Sequence, residues 1–451
     1  MTQDKAAAGG RPGLAASIKQ RLIQESLQRK MRGAGRQAPA ADTAGSHAQV
    51  PEQHYRFALH PGYQQLRILS EGAATLGVSS PFFKLHEGNA GASTRIAGQP
   101  YLNFASYNYL GLSGDPEVAA AAKAAIDHYG TSVSASRLVS GERPVHRELE
   151  QALADLYDVD DAVTFVSGHA TNVSTLGFLF GPNDLIVHDE LIHNSVLQGI
   201  QLSGARRLSF PHNDADALDA LLAGNRRQFE RVLVVLEGIY SMDGDYPDLP
   251  RFVEIKHRHR VFLMVDEAHS LGVMGTRGHG IREHFGLRGG DVDIWMGTLS
   301  KTLAGCGGYI AGERALIEHL KCLAPGFLYS VGMPPPVAAA SLAALGRLRA
   351  LPDRVADLQA RGASFLAQAR AAGIDTGTST GLAIVPAIVG TSLRAARLSA
   401  ALFARGINAQ PILYPAVPEK SARLRFFLCS QHSEADISTA VSALTQELAR
   451  L

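Results

Sequence analysis

The sequence predicts an α/β protein: a mostly parallel sheet with helices on both faces, followed by a smaller α+β C-terminal domain. Three observations carry this. Between Ala162 and Met296 short apolar runs alternate with helical segments, at 162–167, 185–189, 207–210, 232–237, 261–265 and 292–296. Near-continuous apolar runs mark strands buried on both faces, as in parallel sheets covered by helices. Next, 451 residues with 46% hydrophobic content suffice for one large core and a lesser one. Last, beyond about Pro334 the composition shifts to alanine-rich helices, then to short strands at 383–389 and 424–428 and a final helix.

Taken in order, residues 1–52 are rich in Ala, Gly, Gln and Arg and read as a flexible N-terminal extension. Within it Leu14 to Met31 has apolar residues at roughly helical spacing beside a basic face. A disordered leader with a fraying helix, a helix packed on the body or a partner subunit, and a docking helix for another protein all fit it. Residues 53–100 carry scattered aromatics (Tyr55, Phe57, Tyr63) and are expected to pack on the body. A large domain follows over 101–334. It opens with a short strand, Tyr101 to Phe104, and Asp115-Pro116 then starts an alanine-rich helix, an acidic cap before a first-turn proline being a start signal. Residues 129–137 are too small for a core strand and read as a loop lining a site. From about Val145 to Tyr157 the pattern is that of an amphipathic helix. Residues 335–451 form the smaller domain.

Formal net charge is +1, so no field exists to recruit nucleic acid or an anionic membrane. There is no N-terminal apolar signal core and no run long enough to span a bilayer, so a soluble cytoplasmic protein is expected. Cys306, Cys322 and Cys429 show no metal-ligand spacing and suit a reducing compartment.

The chemistry concentrates in two stretches. In Met296 to Tyr309 (MGTLSKTLAGCGGY) the hydroxyl of Thr298 precedes Lys301 by three residues, with small residues behind. A Schiff-base lysine needs this: an amine held against an aldehyde, a hydroxyl for a phosphate, and glycines where backbone comes close. Upstream, the apolar run 261–265 ends abruptly in Asp266, with His269 three residues on. An acid at the carboxyl end of a buried strand can keep a pyridinium nitrogen protonated, and the histidine can reach the ring's phenolic oxygen. Alone, the lysine could be a surface residue and the acid–histidine pair a helix cap or a metal pair. Their order and spacing together describe a pyridoxal 5'-phosphate site.

Further candidates also follow strands. Ser167-Gly168-His169 opens a helix, where backbone N–H groups suit a phosphate or merely a cap. His193, in DELIHNS, could be an ordinary core or surface histidine, or could stack on the cofactor ring and hydrogen-bond to substrate. Ser241 could donate to the phenolic oxygen. Asp243-Gly-Asp245 is a turn without the other ligands of a calcium loop. Arg423 and Arg425 alternate on a strand and share a face; one could clamp a carboxylate, or both could be surface charge.

The set FASYNYLGL, SGHATN, DELIHNS, EGIYSMDGD, MVDEAHSLG, GTLSKTLAGCGGY, YSVGMPP and ARLRF, in this order from Tyr101 to the C-terminus, resembles the α-oxoamine synthases. These are pyridoxal-phosphate enzymes that include 8-amino-7-oxononanoate synthase, serine palmitoyltransferase, 5-aminolevulinate synthase and 2-amino-3-ketobutyrate CoA ligase. The resemblance implies a fold-type-I aminotransferase-like architecture and a homodimer with shared active sites. It implies decarboxylating condensation of serine, alanine or glycine with an acyl thioester, on CoA or on an acyl carrier protein, to an α-amino ketone. By the same resemblance Lys301 is the Schiff-base lysine, Asp266 the partner of the ring nitrogen, and His269 and Ser241 the contacts to the phenolic oxygen. His193 is the ring-stacking histidine. Gly168, His169 and Thr298 fall at the phosphate end, Arg425 at the substrate carboxylate, and Asn108 and Ser136 at substrate-side motifs. Tyr107-Asn108-Tyr109 is nearer the serine palmitoyltransferase version, and Ser136-Arg137 lacks the histidine of the oxononanoate synthases, which favours serine or alanine. Ala416 stands where several members have a threonine, and Val331-Gly332 where they have hydroxyl residues. The long N-terminal extension lies outside the family core and could engage a carrier protein. A fold-type-I aminotransferase and a catalytically inactive regulatory homologue are the rival readings.

Overall fold

A computed structural model describes residues 50–75 and 80–451. The expected helix at Leu14 to Met31 lies outside them. Two compact units divide between Leu69 and Ser70. The first, described from Val50, contains short 3-10 turns at Glu52–His54 and Phe57–Leu59 and the start of the helix Pro61–Thr75.

The second unit opens with β1 (His86–Glu87), β2 (Ser93–Ile96) and β3 (Gln99–Asn103), an antiparallel meander. Asp115 then caps the helix Pro116–Tyr129 by accepting the Glu117 N–H, as its acid–proline pair predicts. The amphipathic helix Pro144–Tyr157 leads into the main sheet. Its strands are β4 (Asp161–Phe165), β5 (Leu185–Asp189), β6 (Arg206–Phe210), β7 (Val232–Glu237), β8 (Phe262–Asp266), β9 (Ile294–Thr298) and β10 (Gly308–Gly312). They lie in the order β4-β10-β9-β8-β7-β5-β6, and only β10 runs against the others.

Strand β7 shows why such runs are apolar throughout. Val232, Val234 and Leu236 pack into one core, while Leu233 and Val235 pack into a second on the opposite face. With period 2 and helices on both sides, no position faces water. Strand β6, at the sheet edge, is largely exposed and correspondingly charged.

After the helices Pro335–Ala350 and Pro352–Ala371 come β11 (Ile384–Gly390), β12 (Ile407–Asn408), β13 (Gln410–Ile412) and β14 (Ala422–Phe427). Strands β11, β14 and β13 form a small antiparallel sheet. The short β12 instead pairs parallel with β3, Ile407 opposite Leu102, so residues 86–103 and the C-terminal region share a sheet. Among the described residues no helix is long and apolar enough to cross a membrane.

Candidate active site

Because six strands of the main sheet are parallel, their carboxyl ends collect on one edge. Asp189 ends β5, Glu237 ends β7, Asp266 ends β8 and Thr298 ends β9, with Glu237 directly opposite Asp266 in register. Lys301 follows three residues after β9, and Ser167 follows β4.

Asp266 is held rather than free. One oxygen accepts the Ala268 N–H at 3.0 Å, the other the Asn172 side-chain amide at 3.0 Å. The same Asn172 nitrogen donates to Ser195 Oγ at 2.9 Å, which lies 2.7 Å from His193 Nδ1. The Ser195 backbone N–H also points at that Nδ1, at 3.3 Å. Nδ1 is therefore the acceptor, and the proton sits on Nε2. Burial, then the charges of Lys301, His169 and Arg425, lowers the His193 pKa against the opposing pull of Asp266, so the ring is neutral with Nε2–H as donor.

His269 is fixed in the same way. Its Nδ1 lies 2.6 Å from the hydroxyl of Tyr109, a buried phenol whose pKa is pushed up by desolvation. Burial, then Lys301, Arg425 and His193, holds His269 well below its ordinary pKa. A neutral imidazole receiving the Tyr109 proton at Nδ1 presents Nε2–H. Phe427 packs parallel to the ring, 6.2 Å away.

Desolvation lowers the Lys301 amine to about 8, against the attraction of Asp266 and Glu237, and it lies 5.7 Å from the centre of the Tyr107 ring. A lysine so depressed is partly neutral near physiological pH and can act as nucleophile or base. Glu237 goes the other way. Burial and then neighbouring Asp266 raise it well above the carboxylate range, and its Oε1 has no partner.

At the start of the helix Gly168–Leu179, Ser167 caps the Ala170 N–H and leaves the Gly168 and His169 amides at the free end. A Cβ at position 168 would come within 2.9 Å of Thr298 Oγ1, so the absent side chain lets helix start and lysine loop close on each other. Thr298 donates to the Gly307 carbonyl at 2.9 Å and accepts the Ser300 N–H at 3.2 Å. On β14 the paired arginines divide. Arg423 is buried and bonded to Asp243 (2.5 Å) and the Met242 carbonyl (3.0 Å). Arg425 donates to the Ser241 carbonyl at 2.8 Å and stacks on Phe427, and its Nε has no partner.

The chain matches the aminotransferase class I and II family over residues 99–444. It is 39% identical over 358 residues to an 8-amino-7-oxononanoate synthase of Fervidobacterium nodosum, covering 79% of this chain and 90% of that one. To the enzyme of the same name from Pseudomonas putida it is 38% identical over 380 residues, covering 84% and 96%. The chain belongs to the α-oxoamine synthases. Among solved structures it is similar to the serine palmitoyltransferase of Sphingomonas wittichii (TM-score 0.82, 28% identity, 86% of this chain and 97% of that one). It is also similar to the 8-amino-7-oxononanoate synthase of Francisella tularensis (TM-score 0.69, 26% identity, 78% and 98%). The fold is thus the fold-type-I one, and the activity is that of a pyridoxal-phosphate-dependent acyltransferase.

The residues of this α-oxoamine synthase fit that cofactor. The side-chain-free Gly168 beside Thr298 leaves an anion cradle at a helix start, a held carboxylate acts on a depressed lysine, and two neutral imidazoles, His193 and His269, share the same electrostatic surroundings. Lys301, Asp266, His193, His269 and Arg425 come together, each acting electrostatically on others of the set. Three predicted residues sit differently. Asn108 gives its amide to the turn it occupies, donating to the Ala90 carbonyl and accepting the Ser113 N–H, so it shapes the loop bearing Tyr107 and Tyr109. Ser136 uses its carbonyl to start the tight turn 137–141, with no contact to the lysine cluster among those described. Ser241 meets Arg425 through its backbone oxygen rather than its hydroxyl. Missed from the sequence were Asn172, Ser195, Tyr109 and Glu237. All four lie inside the quoted motifs; Asn172 and Ser195 carried the signal of a polar side chain in a helix's first turns and Glu237 that of an acid closing an apolar strand, whereas Tyr109 carried none.

Proposed function

We propose that this enzyme joins a small amino acid, serine or alanine in preference to glycine, to the acyl group of a thioester with loss of carbon dioxide. The observation that carries this is the neutral His193, locked by Ser195 as the Nε2–H tautomer beside Lys301 and Arg425. A hydrogen-bond donor, where an aromatic ring would only stack, suits a reaction that must bind an incoming acyl carbonyl.

Bound pyridoxal phosphate supplies an electron sink conjugated to the amino acid's α-carbon. Gly168 and His169, with Thr298, would hold its phosphate end; Asp266 would keep a proton on its ring nitrogen; His269 and the Ser241 turn would serve its phenolic oxygen. Arg425 takes the substrate carboxylate with the guanidinium edge left free by Ser241. Lys301, in the fraction neutral at Nζ, removes the α-proton. The α-carbon then bonds to the thioester carbonyl carbon and the thiolate leaves. The bond to the carboxylate breaks, carbon dioxide departs, and a proton is returned to the α-carbon to give an α-amino ketone. CoA thioesters are the donors that the named relatives suggest; a carrier-protein donor is the alternative.

A second copy of the chain accounts for Leu138, Val139, Tyr329 and Val331, apolar side chains left 62%, 80%, 87% and 53% exposed on the turn 137–141 and the stretch 329–331. Gly332 joins these two segments through its N–H to the Ala135 carbonyl. We take this face to be a homodimer interface, measurable by light scattering. The free thiols suit a cytoplasmic setting. The deciding experiment is mass spectrometry of products from a panel of amino acids against CoA and carrier-protein thioesters. An α-amino ketone formed only with thioester present is expected. A keto acid from amino acid alone would convert the reading to a transaminase.

A further inference from the structure

His212 belongs to none of the stretches that carry the chemistry, yet it joins two of them. It follows β6 and is mostly buried, with its side chain 17% exposed. Its Nδ1 donates to both oxygens of Asp189, at 3.0 and 3.1 Å, and its Nε2 donates to Asp245 Oδ2 at 3.0 Å. Both carboxylates are buried, so a ring bridging them carries both protons.

Each carboxylate organises a different loop. Asp189 also accepts the N–H groups of Leu191 and Asn213, at 2.8 Å each, which sets the turn running into His193. Asp245 accepts Thr378 Oγ1 at 2.6 Å, and the neighbouring Gly244 carbonyl accepts Thr380 Oγ1 at 2.9 Å. Gly244 has φ +75°, and a Cβ there would lie 2.1 Å from the Ile384 carbonyl of β11. The 241–245 loop is thus pressed onto the C-terminal sheet. From the same sheet Arg425 reaches Ser241, and Arg423 reaches Met242 and Asp243. A continuous set of bonds therefore runs from Arg425 through the loop, Asp245, His212 and Asp189 to the His193 turn.

We propose that His212 is a positioning residue that clamps the His193 turn to the 241–245 loop, so that seating an amino-acid carboxylate on Arg425 also sets the His193 ring. This rests on the roles given above to Arg425 and His193. Raising the His212 pKa from 6.5 to about 10, against burial, is what the hydrogen bonds and charges of Asp189 and Asp245 do. The other groups facing it are Glu190, which accepts the His212 backbone N–H, the Asn213 side-chain amide, 3.3 Å from Nε2, and Tyr240, whose ring stands edge-on at 4.5 Å.

The test is titration of holoenzyme with alanine and with serine, followed by the cofactor's visible absorbance, in wild type, His212→Asn, Arg425→Lys and the double variant. His212→Asn should weaken amino-acid binding about three- to tenfold, and in the double variant the two losses should combine to less than their product. Unchanged affinity, or losses that simply multiply, would overturn the proposal, since a residue that only stabilised the fold would show neither coupling. A second arm uses the cofactor-free chain. The clamp's stabilisation is complete below pH 6.5 and gone above about 10, so the stability difference between wild type and His212→Asn should shrink across that window. A difference flat with pH overturns the charged clamp. Should His212→Asn not fold, Asp245→Asn, which leaves the Asp189 bonds in place, takes its part in both arms. If wild type binds no amino acid, the proposed function fails and the cofactor-free arm still decides the clamp.

Discussion

Two buried ionic clusters in this molecule treat charge in opposite ways. Around Arg137 every group is matched. Its guanidinium meets both oxygens of Glu150 and both of Glu142, and Glu150 also takes the Thr164 N–H at 2.8 Å and Lys321 at 3.0 Å. Although burial would raise it, Glu150 is held below its ordinary pKa, chiefly by Arg137. Around Lys301 the balance is left open. The lysine is depressed, Glu237 is raised, and Glu237 Oε1 and Arg425 Nε lack partners. A saturated cluster fixes geometry, whereas an unsaturated one keeps groups that a substrate or cofactor can still complete. The difference marks scaffold from machinery.

The sharpest way to break this comparison is to remove one charge from each side. Lys301→Ala should lower kcat by on the order of a thousandfold or more, because it removes the base proposed for the α-proton. It should leave the melting temperature of the cofactor-free chain unchanged or raised. A variant that kept activity would return Lys301 to the scaffold. Arg137→Met should do the reverse. Leaving buried Glu150 with Lys321 as its remaining cation should cost up to about 3–5 kcal/mol by denaturant melts, with little change in kcat for the protein that folds. Adding Glu150→Gln should recover much of that loss.

The opposite treatment also predicts pH behaviour. The Lys301 pKa falls from 10.5 to about 8 on folding, so between those values the unfolded chain binds more protons and stability rises with pH. In the cofactor-free chain, the stability difference between Lys301→Met and wild type should therefore narrow from pH 8 to 10.5. A constant difference would mean the amine is not desolvated.

How far this division could be read beforehand depended on chain locality. Lys301 with Thr298, and Asp266 with His269, are close in sequence and follow apolar runs, so residue order alone exposed them. The strands buried on both faces were legible for the same reason. Strand β10 was not: Gly308 to Gly312 begins and ends in glycine, and pairing on both sides, with β4 and β9, makes it a strand. Likewise β12 is two residues long and owes its place to β3, some 300 residues earlier. The Asn172–Asp266 and Tyr109–His269 bonds span 94 and 160 residues, and nothing local announces them. Nor could alternation tell which of Arg423 and Arg425 would be neutralised. That depended on Asp243 standing opposite one of them.

The smallest expected effect tests whether long-range partners of this kind tune the machinery. Tyr109 gives His269 its tautomer, and Tyr109→Phe removes one buried oxygen while keeping the ring that packs beside Phe427. A neutral hydrogen bond contributes about 1 kcal/mol net, so kcat should fall roughly five- to tenfold, with stability down by a similar energy. The readout that separates tuning from packing is the pH dependence of the bound cofactor's absorbance. With Nδ1 released, His269 can turn, or carry its proton on the other nitrogen, and the contact proposed from its Nε2–H to the phenolic oxygen is lost, so the absorbance transition should move to higher pH. A transition that stays in place while stability drops would show that Phe427 and burial alone hold the ring, and that Tyr109 belongs with Arg137 on the saturated side.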